Sequence, residues 1–148
     1  MSNCPFCQII KGEISAHIVA KDEKNKCLAF LDINPNSKGH TLIISTKVKE
    51  HAKNITELEE EDWNSILPLL KKVVEKLQNV FKPQGFNFIT NMGEEAYQSV
   101  FHFHLHIIPK YGKKEEEKGF VWKVQKEKSI DLVTQAANKL KIELTKLN

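Results

Sequence analysis

The sequence predicts an α+β fold in which a five-stranded antiparallel meander carries one long helix on one face and a further helix follows at the C-terminus. Three observations indicate this class. Short segments rich in β-branched and aromatic residues are separated by turn residues. One long segment, after the third of these, repeats its apolar residues at helical spacing. A shorter repeat of the same kind lies near the C-terminus.

The sheet is predicted from the segments that have the length and composition of strands: 17–22, 26–32, 40–46, 85–91 and 101–108. The polar residues Glu23-Lys24-Asn25 between the first two indicate a hairpin. Pro35 and Gly39 mark a linker before the third strand, and a loop at 92–100 joins the last two. Three strands therefore precede the long helix.

The long helix is predicted to begin at Thr56, because Thr56 and Glu59 match a capping box, and to end before Pro83 and Gly85. Acidic residues in its first turn complement the positive end of the helix dipole. Pro68 lies inside this segment and removes a hydrogen-bond donor, so we expect a local kink there. The apolar residues of this segment form a stripe for the sheet to cover: Trp63, Ile66, Leu70, Val73, Leu77 and Val80.

A C-terminal helix is predicted from about Ser129. The run of charged residues at 113–118 indicates a solvated loop ahead of it. Its apolar residues repeat at helical spacing, and we expect them to be buried: Ile130, Val133, Ala137, Leu140 and Leu144.

Length and composition favour a single domain, residues 1–148, with a core at about 3–112 and a C-terminal extension at about 113–148. Of the 148 residues 41% are hydrophobic, which is enough to bury a core. The net charge is +3 with basic and acidic residues intermixed, so no nucleic-acid partner is expected. Without an apolar run of roughly 18 residues or an export signal, we expect no membrane partner and a cytoplasmic location. The three cysteines fit a reducing compartment.

The most specific feature is an array in which His102, His104 and His106 alternate with apolar residues in the fifth predicted strand. A period of two places the three imidazoles on one face and the apolar side chains on the other, beneath the long helix. A lone strand histidine is usually structural, but three in strict alternation each need a hydrogen-bond partner or a metal when partly buried. The residues alone leave metal binding and catalysis open.

The segment at 98–108, with the sequence QSVFHFHLHII, resembles the signature of the histidine triad (HIT) family, in which three alternating histidines are followed by apolar residues. Other segments are similar to those of small bacterial zinc-containing HIT hydrolases, in the same order: Cys4-Pro-Phe-Cys7, 28–35, 39–42 and 91–93. The resemblance extends as far as Trp122 and implies a HIT-like fold.

The resemblance implies a nucleotide hydrolase or transferase that cleaves the α-phosphate linkage of purine nucleoside phosphoramidates, nucleoside adenylates or dinucleoside polyphosphates. His104 would attack the α-phosphorus and carry a covalent nucleotidyl group, which water releases as a nucleoside monophosphate. Neutral imidazole suits this role, since its ordinary pKa is near 6.5. His106, Ser99 and Gln98 would surround the phosphate and the leaving atoms, and His40 on a neighbouring strand would orient the site.

For the nucleoside, the resemblance places Asp32 on the ribose hydroxyls with Ile33 beside it. Phe6, Ile9 and Phe30 would form the apolar slot for the purine. Judged from the sequence pattern alone, Ile9 and Phe30 are plain core positions, and Asp32 is a turn residue before Asn-Pro.

Two residues in the loop before the array carry separate expectations. The resemblance puts Asn91 near the nucleotide, whereas its position alone predicts only a strand cap. Tyr97 stands directly before Gln98, where the family usually has glycine. Because glycine there lets the backbone approach the phosphate or adopt a positive φ, Tyr97 is expected to alter leaving-group geometry and narrow the substrates.

Cys4 and Cys7 have the spacing of a zinc knuckle, but two cysteines do not close a tetrahedral site. Related proteins with this pair use the positions of His51 and His102, so the resemblance implies one structural Cys₂His₂ zinc per chain. Such a site would tether the N-terminus to the catalytic strand. An unmetallated thiol pair and a redox C-x-x-C are the alternatives.

The exposed strand edges of a five-stranded sheet favour association, and the resemblance implies a homodimer in which two sheets join. Phe120-Val121-Trp122 would reach across to the partner's site or dock on its own core. Two alternatives to this enzyme are a nucleotide-binding scaffold with little turnover and a triad that holds a catalytic metal.

Overall fold

The computed structural model describes residues 3–112, 120, 123 and 130–140. The described elements, in chain order, are α1 (Pro5–Lys11), β1 (Ile18–Asp22), β2 (Cys27–Leu31), β3 (Thr41–Ser45), α2 (Glu60–Phe81), β4 (Gly85–Ile89), β5 (His104–Lys110) and α3 (Ile130–Leu140), with a 3₁₀ turn at Glu94–Ala96. The strands and the long helix confirm the predicted fold class.

The five strands form one antiparallel sheet in the order β1-β2-β3-β5-β4. This order departs from the predicted simple meander, in which chain neighbours would also be sheet neighbours. After β3 the chain passes through α2 and re-enters the sheet at the edge as β4, and β5 then returns between β3 and β4. The strand that carries the histidines is therefore hydrogen-bonded on both sides.

The long helix α2 begins at Glu60, four residues after the position that the capping-box pattern predicts. The predicted box does not form, because its residues bond within the preceding turn. The Thr56 hydroxyl donates to Asn54 Oδ1 at 2.7 Å, and the Glu57 carboxylate accepts from the Lys53 backbone N–H at 2.9 Å. Glu59 occupies the cap position without a side-chain hydrogen bond.

One face of the sheet packs against α2. The main buried cluster joins a helix stripe to the facing strand residues: Cys27, Ala29, Ile43, Ile66, Leu69, Val73, Leu77, Phe103 and Ile107. Burying a large aliphatic or aromatic side chain of this kind stabilises a fold by roughly 1.5–3 kcal/mol. Trp63 and Val80, which the periodicity places in the stripe, are exposed at its two ends.

A close approach at Gly39 fixes the start of β3 against this helix. Gly39 has a φ of +86°, and a Cβ there would lie 3.0 Å from the Leu77 side chain and 3.1 Å from that of Phe81. A larger residue would meet both a strained backbone and a filled space. The position of His40, the next residue, depends on this contact.

The opposite face of the sheet is covered by α1, which the sequence reading did not predict. Cys4 caps this helix by accepting from the Cys7 backbone N–H, and Pro5 occupies the first turn, where a missing donor is tolerated. Phe6 packs into a second buried cluster with residues of β2 and β3: Leu28, Phe30, Leu42 and Ile44.

The C-terminal helix α3 does not have the predicted buried stripe. Val133 is 67% exposed and Leu140 is 72% exposed, and Ala137 is exposed as well. The periodicity correctly predicted the helix, but an apolar stripe is buried only where another element covers it. Ser129 and Leu144 lie outside the described residues. Across the ranges described, none of the helices combines the length and apolar character that crossing a bilayer requires.

Candidate active site and metal centre

The histidine array lies on the sheet face opposite α2, but only part of it belongs to a strand. β5 begins at His104, three residues later than predicted, so His102 precedes the strand. Within the sheet, His104 pairs with Ile44 and His106 pairs with Leu42, both on β3. The antiparallel register therefore sets the spacing of these two imidazoles along an interior strand that is paired on both sides.

A backbone carbonyl fixes which nitrogen of His104 carries the proton. Nδ1 of His104 lies 2.7 Å from the carbonyl oxygen of His102, so Nδ1–H is the donor. In a neutral ring, Nε2 then holds the lone pair. His104 also lines the larger of the two clefts described below. Its unprotonated nitrogen is the one left for chemistry.

A chain of hydrogen bonds fixes the protons of His40 and His106. The Asn36 backbone N–H donates to His40 Nδ1 at 3.0 Å, so the proton of neutral His40 is on Nε2. His40 Nε2 lies 2.9 Å from His106 Nδ1 and donates to it. The proton of His106 is consequently on Nε2, which gives the cleft a hydrogen-bond donor.

Burial keeps these rings neutral. Desolvation is the largest influence on all three and lowers the pKa of His40, of His104 and of His106, the last to about 4. The neighbouring Asp32 carboxylate opposes the shift in each case. Asp32 Oδ2 lies 3.7 Å from His40 Nε2 and 4.0 Å from His106 Nδ1. At neutral pH the site therefore offers one imidazole lone pair and one imidazole N–H.

The structure brings most of the predicted site residues together around one cleft of about 400 Å³. Its walls are mainly apolar with a few polar side chains among them, as is typical of small-molecule sites. The predicted residues that line it are Phe6, Ile9, Phe30, Asp32, Ile33, Ser99, His104 and His106. Phe30 is buried in the core and also lines the cleft. Its predicted roles as a core residue and as part of the purine slot are therefore compatible.

A second cleft, of about 370 Å³, lies beside the first. The two share Asp32, Asn34 and His106. The second cleft is also lined by His40 and Asn91, and its remaining described walls are formed by Asn36, Ile89, Tyr97, Ile108 and Phe120. Phe120 thus lies against its own chain, while Val121 and Trp122 are outside the described residues.

Gln98 does not line either cleft, although the resemblance predicted that its side chain contacts the phosphate. Its side chain is buried, with Oε1 accepting from the Gly93 backbone N–H at 2.9 Å and Nε2 donating to the Lys53 carbonyl at 2.6 Å. The Asn91 amide similarly donates to the Ala96 carbonyl. These two amides hold the loop before β5 in shape, so Gln98 is a positioning residue.

A separate cluster joins Cys4, Cys7, His51 and His102, whose ligand atoms all lie within 4.8 Å of one another. His102 Nδ1 lies 3.6 Å from Cys4 Sγ and 3.7 Å from Cys7 Sγ, and His51 Nδ1 lies 3.4 Å from Cys7 Sγ. A tetrahedral zinc ion with ordinary bond lengths separates sulfur from nitrogen by about 3.6 Å. The four residues can hold a metal ion, and their donor set fits zinc.

Backbone carbonyls orient both imidazoles of this cluster. His102 Nε2 donates to the Ser45 carbonyl at 3.0 Å, and His51 Nε2 lies 3.1 Å from the Phe101 carbonyl oxygen. The Nδ1 atom of His102 is therefore unprotonated and faces the sulfur atoms, as in metal sites whose outer partners fix the tautomer. His51 has a backbone carbonyl near each ring nitrogen, since its Nδ1 lies 3.2 Å from the Val48 carbonyl oxygen as well as 3.4 Å from Cys7 Sγ. Burial, aided by the nearby His51, lowers the pKa of His102 to about 4.

Several contributors to these sites had no signal in the sequence. The carbonyls of His102 and Ser45 select the tautomers of His104 and His102, and every residue carries such a group. Asn36, whose N–H holds His40, lies in an Asn-Pro-Asn-Ser turn that predicts only a loop. The short helix α1 could have been found from Cys4-Pro5 as a cap followed by a first-turn proline.

Comparisons with known proteins agree with this arrangement. A family model described as the HIT domain matches residues 11–113. The Schizosaccharomyces pombe protein named adenosine 5'-monophosphoramidase hnt1 is 46% identical over 108 residues, which cover 73% of this chain and 74% of that protein.

Several solved structures are similar to this chain. The crystal structure of a member of the HIT family from Bacillus subtilis has a TM-score of 0.76 and 39% identity, with 96% of this chain and 99% of that chain covered. The structure of the histidine triad nucleotide-binding protein from Candida albicans has a TM-score of 0.74 and 31% identity, with 93% and 94% covered.

A five-stranded antiparallel sheet whose interior strand β5 presents paired neutral histidines to a mixed apolar and polar cleft is the arrangement of a histidine triad protein. The chain belongs to the HIT family within that class. The resemblance stated from the sequence is confirmed.

Proposed function

We propose that this protein hydrolyses purine nucleoside phosphoramidates at the α-phosphorus through a nucleotidyl-histidine intermediate on His104. The observation that carries the proposal is the hydrogen bond from His104 Nδ1 to the His102 carbonyl, which leaves Nε2 with its lone pair beside the cleft. Nucleoside adenylates and dinucleoside polyphosphates are further candidate substrates. The phosphoramidase name of the Schizosaccharomyces pombe relative supports the choice of phosphoramidates.

The reaction would take place in two displacements. His104 Nε2 attacks the α-phosphorus, a new N–P bond forms, and the bond to the leaving nitrogen breaks as that nitrogen takes a proton from solvent and departs as an amine. Water then attacks the same phosphorus, the Nε2–P bond breaks, and one proton returns to solvent. The net change is one phosphoramidate and one water converted to an amine and a nucleoside monophosphate.

The remaining groups would stabilise the developing charge and hold the nucleoside. His106 Nε2–H and the exposed Ser99 hydroxyl are donors for phosphate oxygens, each such donor typically contributing about 10²- to 10³-fold in rate. Asp32 would accept hydrogen bonds from ribose hydroxyls. The apolar walls formed by Phe6 and Phe30, whose rings meet edge to face at 5.4 Å, suit a planar base.

Cys4, Cys7, His51 and His102 would hold one zinc ion. A bound zinc would supply structural cross-linking, since four protein ligands leave no open position for a reacting group. The residues themselves join three parts of the chain: the start of α1, the segment after β3 and the residue that precedes His104 by two positions. The support for this proposal is the donor set and its fit to tetrahedral distances.

A homodimer would cover the edge of the sheet. β4 is an edge strand, and its Phe88 is 49% exposed and stacks with Phe86 at 6.1 Å. An exposed edge strand with aromatic side chains favours pairing with a second chain. Light scattering at micromolar concentration is expected to give twice the 17.0 kDa chain mass, and a monomer would contradict the dimer.

The catalytic proposal is tested with a fluorogenic adenosine phosphoramidate. His104→Ala is expected to lower kcat/KM by at least about 10³-fold, as loss of a nucleophile does in other covalent enzymes. The exposed His17 supplies a matched control, and His17→Ala should keep the wild-type rate. Acid quenching followed by mass spectrometry should find a nucleotidyl group on His104.

Other outcomes select between the alternatives. Equal rates for wild type and His104→Ala overturn the catalytic assignment. Nucleotide binding without turnover in the wild type identifies a scaffold of the HIT fold. Activity that is lost on chelation and restored by metal, with no covalent adduct, identifies a catalytic metal in place of the nucleophile.

A further inference from the structure

The direction of the hydrogen bond between His40 and His106 depends on one backbone group. Each neutral ring carries one proton, so the two rings could also bond in the reverse direction across the same 2.9 Å contact if both changed tautomer. The Asn36 backbone N–H donates to His40 Nδ1 at 3.0 Å and thereby selects the observed direction. Asp32 Oδ2 lies 3.7 and 4.0 Å from the two facing nitrogens, too far to accept a hydrogen bond from either.

This direction decides what His106 presents to the cleft. In the observed direction its Nε2 carries the proton and can donate to a phosphate oxygen. In the reverse direction Nε2 carries a lone pair, and a phosphate oxygen would meet an acceptor in place of a donor. The donor on His106 therefore depends on whatever keeps the Asn36 N–H on His40.

Asn36 directly precedes a tight turn formed by residues 37–40. The His40 backbone N–H donates to the Ser37 carbonyl at 3.1 Å, and Gly39, the third residue of the turn, has a φ of +86°, as in a type II turn. The close approach of Gly39 to α2 holds one side of the turn. The other side lies against the end of β5.

Two hydroxyl groups attach the turn to the end of β5. The Ser37 hydroxyl donates to the Pro109 carbonyl at 2.5 Å, and Ser37 is only 2% exposed. The Tyr111 hydroxyl donates to the Lys38 carbonyl at 2.8 Å, in an exposed contact. Both bonds tie the loop after β2 to the strand that carries His106, or to the residue that follows this strand.

Of these two tethers, Ser37 is the one that bears on the tautomer. It is the next residue after Asn36, and its carbonyl accepts from the His40 backbone N–H. Fixing Ser37 therefore restrains both partners of the bond between the Asn36 N–H and His40 Nδ1. Lys38, which Tyr111 holds, is one residue farther from Asn36 and takes part in neither of these two hydrogen bonds.

We propose that Ser37 is a positioning residue that sets the proton direction of the His40–His106 pair. Its hydroxyl, anchored on the Pro109 carbonyl, holds the Asn36 N–H on His40 Nδ1, and His40 in turn keeps the proton of His106 on Nε2. Ser37 is not among the described residues that line the two clefts, so its effect on a substrate passes through His40. The inference rests on the proposed function of this site and adds a residue from outside the histidine signature.

The first test observes the tautomers directly and needs no substrate. In ¹⁵N-labelled protein at neutral pH, long-range ¹H–¹⁵N correlations distinguish a protonated imidazole nitrogen from one that holds a lone pair. The wild type should carry the proton on Nε2 of both His40 and His106. Ser37→Ala should show a population with the proton of His106 on Nδ1, and Ser37→Cys, whose S–H is a weak donor, should lie between the two. A wild-type tautomer in Ser37→Ala overturns the proposal.

The second test measures turnover of a fluorogenic adenosine phosphoramidate. Ser37→Ala is expected to lower kcat by roughly 10-fold and to keep KM within about twofold, as loss of a group that orients a functional histidine does. In the His40→Ala background the same substitution should have no further effect on kcat, because its route to His106 is already lost. A general loosening of the fold would lower kcat in both backgrounds, and that result overturns the proposal.

Tyr111→Phe is the matched control, because it removes the neighbouring hydroxyl-to-carbonyl bond and keeps the ring. Its kcat and its imidazole signals should match those of the wild type. An equal change in Tyr111→Phe and in Ser37→Ala would assign the effect to the loop as a whole and overturn the role of Ser37. The tautomer measurement is independent of turnover: its failure leaves the hydrolase proposal intact, whereas wild-type activity in His104→Ala overturns the hydrolase proposal itself.

Discussion

His102 and His104 are two residues apart and both buried, yet they present opposite nitrogens to their surroundings. His102 donates from Nε2 to the Ser45 carbonyl and directs Nδ1 at two sulfur atoms. His104 donates from Nδ1 to the His102 carbonyl and leaves Nε2 beside an open cleft. The difference shows that the nearest backbone carbonyl, and not the residue type or its place in the motif, decides what each imidazole can do.

The two regions also differ in their access to other molecules. The cluster around His102 draws its ligands from α1, from the segment after β3 and from the residue ahead of β5, and these ligands surround one point. The region around His104 and His106 meets two clefts of about 400 and 370 Å³. One arrangement suits a closed structural site and the other suits turnover of a small molecule.

The largest expected effect is the loss of metal and stability in His102→Ala. This change removes one of four ligands, and we expect zinc content to fall from about one to near zero per chain and the Tm to fall by about 10 °C or more. His104→Ala should keep its zinc. Metal analysis of protein purified without chelators, together with thermal denaturation, checks both variants. Full zinc content in His102→Ala would show that His102 is not a metal ligand.

Removal of the metal from the intact chain should have the next largest effect. A strong chelator is expected to lower the Tm by several degrees, since a structural zinc site contributes to folding. Added zinc should restore the Tm. Magnesium should not, because it binds thiolate ligands poorly. An unchanged Tm in a zinc-containing sample would contradict the structural role.

Breaking the hydrogen-bond chain behind His106 should reduce activity without affecting the metal. His40→Ala removes the donor to His106 Nδ1 and lets the proton of His106 move away from Nε2. We expect kcat/KM to fall by roughly 10- to 100-fold, with zinc content unchanged. His17→Ala is the matched control, because His17 is exposed. A wild-type rate in His40→Ala would show that His106 does not need this partner.

The smallest expected effect is on the acid side of the pH profile. Burial lowers the pKa of His40 and lowers that of His106 to about 4, against the opposing charge of Asp32. Both rings therefore stay neutral as the pH falls through 6.5. His104 stays neutral as well, because its pKa is also lowered. We expect kcat/KM to be flat from pH 8 to below 6.5. A fall of kcat/KM to half its maximum at pH 6.5 or above would contradict this flat profile. The control is the zinc content, measured at each pH.

The sequence predicted the strands well because alternation and turn residues are local signals. The same alternation placed Phe103 and Ile107 beneath α2 and the two strand histidines on the other face, as observed. The resemblance supplied the ligand set that the structure brings within 4.8 Å, although Cys4 and His102 are far apart in the chain.

Other features depended on contacts that no local pattern records. The capping box at Thr56 does not form, because the Thr56 hydroxyl donates to Asn54 in the preceding turn. α2 therefore begins later, at Glu60. The resemblance predicted that Gln98 contacts the phosphate. Its side chain instead forms hydrogen bonds with the Gly93 backbone N–H and the Lys53 carbonyl. The insertion of β5 between β3 and β4 is likewise a product of tertiary structure.

One peptide group connects the two regions. The side chain of His102 faces the sulfur atoms of the cluster, while its carbonyl accepts the proton of His104 at 2.7 Å. The hydrogen bond of the His102 ring to the Ser45 carbonyl and that of its own carbonyl to His104 both restrain this one residue, which lies just outside β5. If the four residues hold a metal ion, we expect its removal to change the proton position on His104, because His102 contributes to both regions.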